Sequence, residues 1–275
     1  MIAVDIGTTS LRTTLYDEMG VALHREQRHN PPSYLDDGRV EQDPASWMQH
    51  LMDALRCTVL AADRLQTPVT CVAVTAQRSS LIAVDGQGRP LHPAILWQDS
   101  RCTALAQAMA EHDALVYGKT GLKISPVFSA IKMAWLRRER PAIWAATRKL
   151  LGVQDWVLFG LTGRYVTDHS LASRTNLLDL RTRTWDPQLL NLFGVPPSML
   201  CELVAPGAVV GGLLPALAAQ TGLPGGLPVV SAGGDQQCAA LGLGLLAPGH
   251  AVANTGTGSY LIGHASVPAL DPLMR

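Results

Sequence analysis

The sequence predicts an α/β fold, and three observations predict it. A short apolar strand pattern at residues 2–6 is followed, after further strands, by a long amphipathic helical pattern at 43–65. A buried-type apolar run at 69–75 comes directly after that helix. A second such run at 228–231 passes through glycines into another helical stretch. The chain has 275 residues, 47% of them hydrophobic and 16% charged, against about 25% charged in an average globular protein. It can therefore bury a sizeable core, and a disordered chain is excluded.

Each element has its own warrant. Residues 2–6 end in Gly7. Residues 11–17 alternate Leu11, Thr13 and Leu15 with Arg12, Thr14 and Tyr16, then turn at Glu18-Met19-Gly20 into a third strand from Val21. Asp43-Pro44 is a helix start, a capping carboxylate followed by proline in the first turn. Trp47, Leu51, Leu55 and Val59 then share one face. Runs 81–84 and 91–96 flank Asp85-Gly86-Gln87-Gly88 and read as a hairpin. Helical patterns follow at 103–112, 129–138 and 142–147, at 155–159 closed by Gly160, at 168–174, and from Asp186-Pro187 to Gly194. After the strand at 228–231, Gly233-Gly234 reads as a tight turn and 235–245 as a helix. Residues 251–253 and 260–263 read as a hairpin around Thr255-Gly256-Thr257-Gly258.

Several function classes are excluded. Formal net charge is zero, so no global field draws the chain to nucleic acid or an anionic membrane. Residues 203–234 carry no charge, but Pro206, Pro215, Pro224 and Pro228 prevent one continuous spanning helix. The five cysteines are odd in number and none pair at CxxC spacing, which argues against a disulfide framework or a zinc site and for a cytoplasmic protein. The first residues lack the basic and apolar regions of a signal peptide.

Four constellations carry chemistry. In Asp5-Ile6-Gly7-Thr8-Thr9-Ser10, with Arg12 beyond, a strand delivers a carboxylate beside a small hydroxyl-rich turn. That arrangement suits phosphate oxygens and, through water, Mg²⁺; the alternative is an ordinary β-turn. In Gly233-Gly234-Asp235-Gln236-Gln237, Asp235 stands at a strand-to-helix junction, where it serves either as a helix cap or as a general base. Asn254-Thr255-Gly256-Thr257-Gly258-Ser259 is a second Gly/Thr turn. Two such loops fit a nucleoside triphosphate gripped from both sides, whereas GxxxxGK[ST] and strand-borne GxGxxG motifs are lacking. Gln77-Arg78 and Trp97-Gln98-Asp99-Ser100-Arg101 offer amide, guanidinium, indole and carboxylate groups suited to a polyhydroxylated ligand. Singly, Trp97 is better explained as a core residue and Arg101 as a solvated charge at a helix start.

Taken in order, these motifs resemble the FGGY family of carbohydrate kinases, which includes glycerol, xylulose and gluconate kinases. Glu41-Gln42-Asp43-Pro44-Ala45-Ser46-Trp47, Lys132-Met133-Ala134-Trp135-Leu136 and Thr167-Asp168-His169-Ser170-Leu171-Ala172-Ser173-Arg174-Thr175 extend the likeness over essentially the whole chain. The resemblance implies an actin-like, ribonuclease H-like α/β domain with a mixed central sheet flanked by helices. It implies ATP- and Mg²⁺-dependent phosphorylation of a sugar or polyol hydroxyl. Asp5 then looks like the acidic residue near the metal, and Thr8, Thr9, Ser10 and Arg12 like the first phosphate loop. Gly256, Thr257 and Gly258 look like the second. Asp235 looks like the catalytic base, with Gln236 beside the substrate, and Gln77, Arg78, Trp97, Asp99 and Tyr260 look like substrate contacts.

Two departures bear on the acceptor. Members acting on glycerol carry Glu where this chain has Ser79, and Tyr in the segment Pro126-Val127-Phe128. A hydroxyl-binding acid and a phenol are thus missing, which argues against glycerol, and the Trp97–Asp99 pattern leans to pentulose-type acceptors. The family is bilobal, so residues 1–246 are expected to form the sugar-binding domain and 247–275 the beginning of the ATP-binding domain, with the boundary near Ala247-Pro248-Gly249. The adenosine site is expected outside the chain. The expected partner is a small sugar or polyol, with a homo-oligomer or an ATP-lobe partner as further expectations. The alternatives are an inactive sugar-binding short form and half of a two-chain enzyme.

Overall fold

The computed structural model describes residues 1–255 and 259–273. Strands β1 (Ile2–Ile6), β2 (Ser10–Tyr16) and β3 (Ala22–His29) form an antiparallel meander. Helix α1 (Pro44–Arg64) follows, and then strand β4 (Val72–Ala76) enters parallel beside β1. Strands β6 (Ala208–Gly212) and β7 (Pro228–Gly234) complete a six-stranded mixed sheet in the order β6-β7-β4-β1-β2-β3. Strand β5 (Val166–Asp168) lies outside this sheet, paired with residues 202–204. Strands β7, β4 and β1 are mutually parallel.

Alternation drives the layering. Ile2, Val4 and Ile6 of β1, and Val72, Val74 and Ala76 of β4, are fully buried, while Ala3 and Asp5 point to the other face. Helix α1 is capped by Asp43, whose carboxylate accepts the Ala45 N–H at 3.0 Å. Its predicted face, Trp47, Leu51, Leu55 and Val59, packs into the main core with the sheet. A second core forms around Leu81, Ile131, Leu189 and Phe193. It holds helix α2 (Ser129–Glu139) and the short helix Pro187–Phe193, which Asp186 starts and Gly194 ends as predicted.

One local expectation is met with an addition, and three change. The turn at 85–88 forms, with the Asp85 N–H donating to the Arg89 carbonyl at 3.0 Å. The strand before it keeps its hairpin partner, the Leu91 N–H donating to the Ala83 carbonyl at 2.9 Å, and Ile82–Val84 pairs along its other edge with Lys149–Leu151. Helix α3 (Val153–Thr162) runs through Gly160 and stops at Gly163, whose φ of 75° suits a glycine terminator. Gly160 is small because a Cβ there would lie 2.6 Å from Met48 Cε. Gly233 and Gly234 are the last residues of β7, not a turn, and a register shift between Ser231 and Gly233 marks an irregularity. Residues 103–112 split into the helix Thr103–Ala108 and a 3₁₀ turn, and a helix not anticipated follows at Asp113–Thr120. No helix among the described residues is long and apolar enough to cross a membrane.

One buried carboxyl makes the fold pH-sensitive. Asp155, at 6% exposure, accepts the Gly152 N–H at 2.7 Å at the start of α3. Burial pushes its pKa from 3.8 up to about 7, against the pull of the Gly152 N–H and the Thr167 hydroxyl. The folded state therefore keeps a proton that the unfolded chain gives up above pH 3.8. The associated stability is fully present below that pH and is lost as pH rises through about 7. Asp155→Asn keeps the carbonyl acceptor and removes the titration. Its thermal midpoint should gain on the wild type between about pH 5 and about pH 8. A difference that is the same at both pH values would refute the account.

Candidate active site

The carboxyl ends of the parallel strands converge. Ile6 pairs with Ala76 and Ala76 with Gly234, so the residues that follow, Gly7, Gln77 and Asp235, emerge side by side. Such a crevice at the carboxyl edge of an open α/β sheet is the usual ligand position in these folds. After β1 the chain turns tightly, the Gly7 N–H donating to the Ser10 carbonyl at 3.0 Å. Thr9 is exposed at this turn and Ser10 is buried as β2 begins. Arg12 stands opposite Asp5 in the ladder and reaches its Oδ2 at 3.3 Å. Burial raises the Asp5 pKa above its ordinary value; Arg12 opposes the shift, and the negative charge of Asp235 adds to it.

Asp235 opens helix α5 (Asp235–Gly242) and is held by the residues around it. The Thr75 hydroxyl donates to the Gly233 carbonyl at 2.6 Å, and the Gly234 N–H donates to Ser170 Oγ at 2.8 Å. Ser170 in turn donates to Asp168, a fully buried carboxylate that also accepts from Gln154 and Ser231. This network fixes the junction, because moving it would strand buried polar groups. Asp168 caps the short helix α4 (His169–Ala172), the start predicted at that position. Asp235 Oδ1 accepts the Gln236 N–H at 2.7 Å and lies 3.5 Å from Arg78 Nε. Burial raises the Asp235 pKa, while Arg78 and then the Gln236 N–H pull it back. Gly234 is small for a reason, since a Cβ there would lie 2.5 Å from Arg78 Cδ.

Around this carboxylate the structure gathers several of the predicted residues. Arg78 is largely buried, and burial lowers its pKa while Asp235 and Tyr260 raise it. Tyr260 lies on strand β9 (Ser259–Gly263), which pairs with β8 (Ala251–Thr255). Gln236 accepts from the Asn254 side chain of β8 at 3.1 Å. The Trp97 indole N–H donates to Thr8 Oγ1 at 3.1 Å, and the Thr8 hydroxyl donates to Gln77 Oε1 at 3.1 Å. Gly256, Thr257 and Gly258 lie outside the described residues.

Asp99 is not where a substrate contact belongs. It is 1% exposed, and both its oxygens are engaged by Arg101, with Oδ2 also accepting the Val40 N–H at 2.7 Å. It positions Arg101, which also reaches Glu41 at 2.7 Å and lies over the Trp135 ring. Two side chains that belong to the site were not singled out from the sequence. Arg174 faces the same charges as Arg78: burial and then the Arg78 charge lower its pKa, Tyr260 and Asp235 raise it, and the balance stands at about 10. Its guanidinium covers the Phe128 ring at 4.6 Å. Asn254 is the other. Arg174 lies in one segment already conspicuous for its motif and Asn254 opens another, but neither motif by itself assigned the residue a role.

The donor chemistry suits a hydrated divalent cation. Asp5 and Asp235 are two carboxylates within electrostatic reach, and magnesium uses one or two carboxylates while keeping much of its water. Among the described residues no cluster of three or more His, Cys, Asp or Glu side chains could hold a metal directly.

The chain matches the family model for the N-terminal domain of the FGGY family of carbohydrate kinases over residues 1–242. It is 36% identical to a glycerol kinase of Rhodospirillum centenum, an alignment covering all of this chain and 56% of that protein. Among solved structures, a xylulose kinase from Rhodospirillum rubrum superposes with a TM-score of 0.94 at 27% identity, covering 98% of this chain and 56% of the other. A Plasmodium falciparum glycerol kinase with ADP superposes with a TM-score of 0.88 at 27% identity, covering 94% and 53% respectively. The chain spans a little over half the length of the curated relatives it matches.

Proposed function

The chain belongs to the FGGY family of carbohydrate kinases, and from that premise we propose that residues 1–246 are the sugar-binding domain of an ATP-dependent sugar or polyol kinase. Residues 247–275 are then the first part of the ATP-binding domain. The observation that carries the proposal is the meeting of Asp5, Arg78 and Asp235 at the carboxyl ends of β1, β4 and β7.

Asp235 accepts the proton of the acceptor hydroxyl as that oxygen attacks the phosphoryl group. Its Oδ1 is held by the Gln236 N–H and faces Arg78 Nε, so the carboxylate is oriented before the acceptor arrives. Arg78, Arg174, Gln77, Gln236, Trp97 and Tyr260 orient the acceptor. Thr9, Ser10 and Arg12 bind the phosphates, a role shared with the sequence motif Gly256-Thr257-Gly258. Asp5 and Asp235 would hold Mg²⁺ through water, which supplies charge neutralisation for the phosphoryl oxygens. Ser79 and the segment Pro126-Val127-Phe128 offer neither an acid nor a phenol, which argues against glycerol and keeps a pentulose-type acceptor as the reading.

The test is ADP release by the complete protein with glycerol, xylulose and gluconate as acceptors. Release with none of them would overturn the kinase assignment, and release with glycerol alone would overturn the acceptor preference. The pH profile follows from the same geometry. Burial holds the Asp235 pKa above 3.8, and the base must be ionised. Activity is therefore present above that raised pKa and lost as pH falls through it. An acid limb of kcat/KM centred at or below 3.8 would contradict the assignment.

A further inference from the structure

Thr8 was expected to give its hydroxyl to a phosphate, but the structure spends that hydroxyl elsewhere. A hydroxyl has one proton and two acceptor sites, and an indole N–H can only donate. Thr8 Oγ1 therefore accepts from Trp97 Nε1 at 3.1 Å and places its own proton on Gln77 Oε1 at 3.1 Å. Gln77 is itself anchored, its backbone N–H donating to the Ile6 carbonyl at 2.8 Å, and it is 2% exposed. Its side-chain Nε2 is buried and finds no acceptor among the described residues. A buried amide proton without a partner is costly, and it is relieved by a ligand oxygen arriving beside it.

We propose that Thr8 is a positioning residue whose hydroxyl ties the acceptor wall, Trp97 and Gln77, to the phosphate loop at 7–10, so that an acceptor bound at that wall tightens nucleotide binding. The role of that wall rests on the kinase assignment above. An oxygen that takes the Gln77 amide proton fixes the amide. The fixed amide fixes the Thr8 rotor, and Thr8 is part of the loop that Gly7 and Ser10 close. By thermodynamic linkage the effect is reciprocal, with the nucleotide tightening acceptor binding by the same factor.

Thr8→Val removes the hydroxyl at nearly constant shape, Thr8→Ser keeps it, and Trp97→Phe keeps a ring while deleting the N–H. In the complete protein, the MgADP dissociation constant is measured by calorimetry with and without saturating glycerol, xylulose or gluconate. The wild type should show a ratio of about fivefold or more with the acceptor it uses. Thr8→Val should bring the ratio close to one, Thr8→Ser should preserve it, and Trp97→Phe should lower it. Adding Trp97→Phe to Thr8→Val should cost nothing further, since both remove one network. A wild-type ratio of one, or a Thr8→Val protein that keeps its ratio, overturns the proposal.

Ligand-free hydrogen exchange of the amides at 7–10 separates this from the kinase assignment. Faster exchange in Thr8→Val and Trp97→Phe but not in Thr8→Ser supports the tie even if no acceptor is phosphorylated. Equal exchange in all three variants and the wild type refutes it.

Discussion

Asp235→Asn in the complete protein is expected to lower kcat by about a thousandfold or more while changing acceptor affinity by no more than about threefold. Asparagine keeps the shape and an oxygen for the Gln236 N–H, so the junction held by Thr75, Ser170 and Asp168 is preserved. What it removes is the ability to take a proton from the acceptor hydroxyl. The split between kcat and affinity matters because Asp235 is also the partner of Arg78. If Asp235 served only to hold that guanidinium or to cap α5, the variant would weaken acceptor binding or stability and leave turnover largely in place. Paired calorimetry and ADP-release measurements separate the two roles, and a near-normal kcat would end the assignment of Asp235 as the base.

The parts of this site legible in the sequence are those made by local chemistry. A strand that ends in Asp5 before a Gly/Thr/Ser turn, and another that ends in glycines before Asp235, announce themselves through residue type and spacing. The capped helix starts at Asp43, Asp168 and Asp186 do the same. What was hidden depends on partners distant in the chain. Asp99 looked like a free polar group beside Trp97, yet Arg101, on the same turn, takes both its oxygens. Gly160 looked like a helix end, yet it is a close-contact position beneath Met48. The strand at 82–84 is half of a hairpin, as its turn announces, but nothing local shows that its other edge takes residues 149–151. Arg174 is nearly a hundred residues from Arg78, and only the fold brings their charges together.

Lys132 is the clearest case of a residue visible as a motif whose task appears only in three dimensions, and replacing it should cost the most stability. Its side chain is completely buried. Its Nζ donates to the carbonyls of Pro126 and Val127, both at 2.6 Å, and lies 3.5 Å from that of Phe128. Burial lowers its pKa to about 7, with Cys102 and Asp99 pulling it back upward. The same segment carries the Phe128 ring against which Arg174 rests, so one ammonium holds the segment beneath that guanidinium.

Lys132→Met keeps the length and the apolar stem but strands those carbonyls in the core, at roughly 1–3 kcal/mol for each group left without a partner. The sum is about 3–5 kcal/mol, a fall of roughly 10 °C in the thermal midpoint for a domain of this size. Arg174 should lose its rest at the same time. Thermal unfolding of the complete protein is the first measurement, and acceptor affinity at a temperature where the variant is folded is the second. A midpoint within a few degrees of wild type would mean that the carbonyls find other donors. In that case Lys132 only fills space, and the segment at 126–128 is held by its own packing.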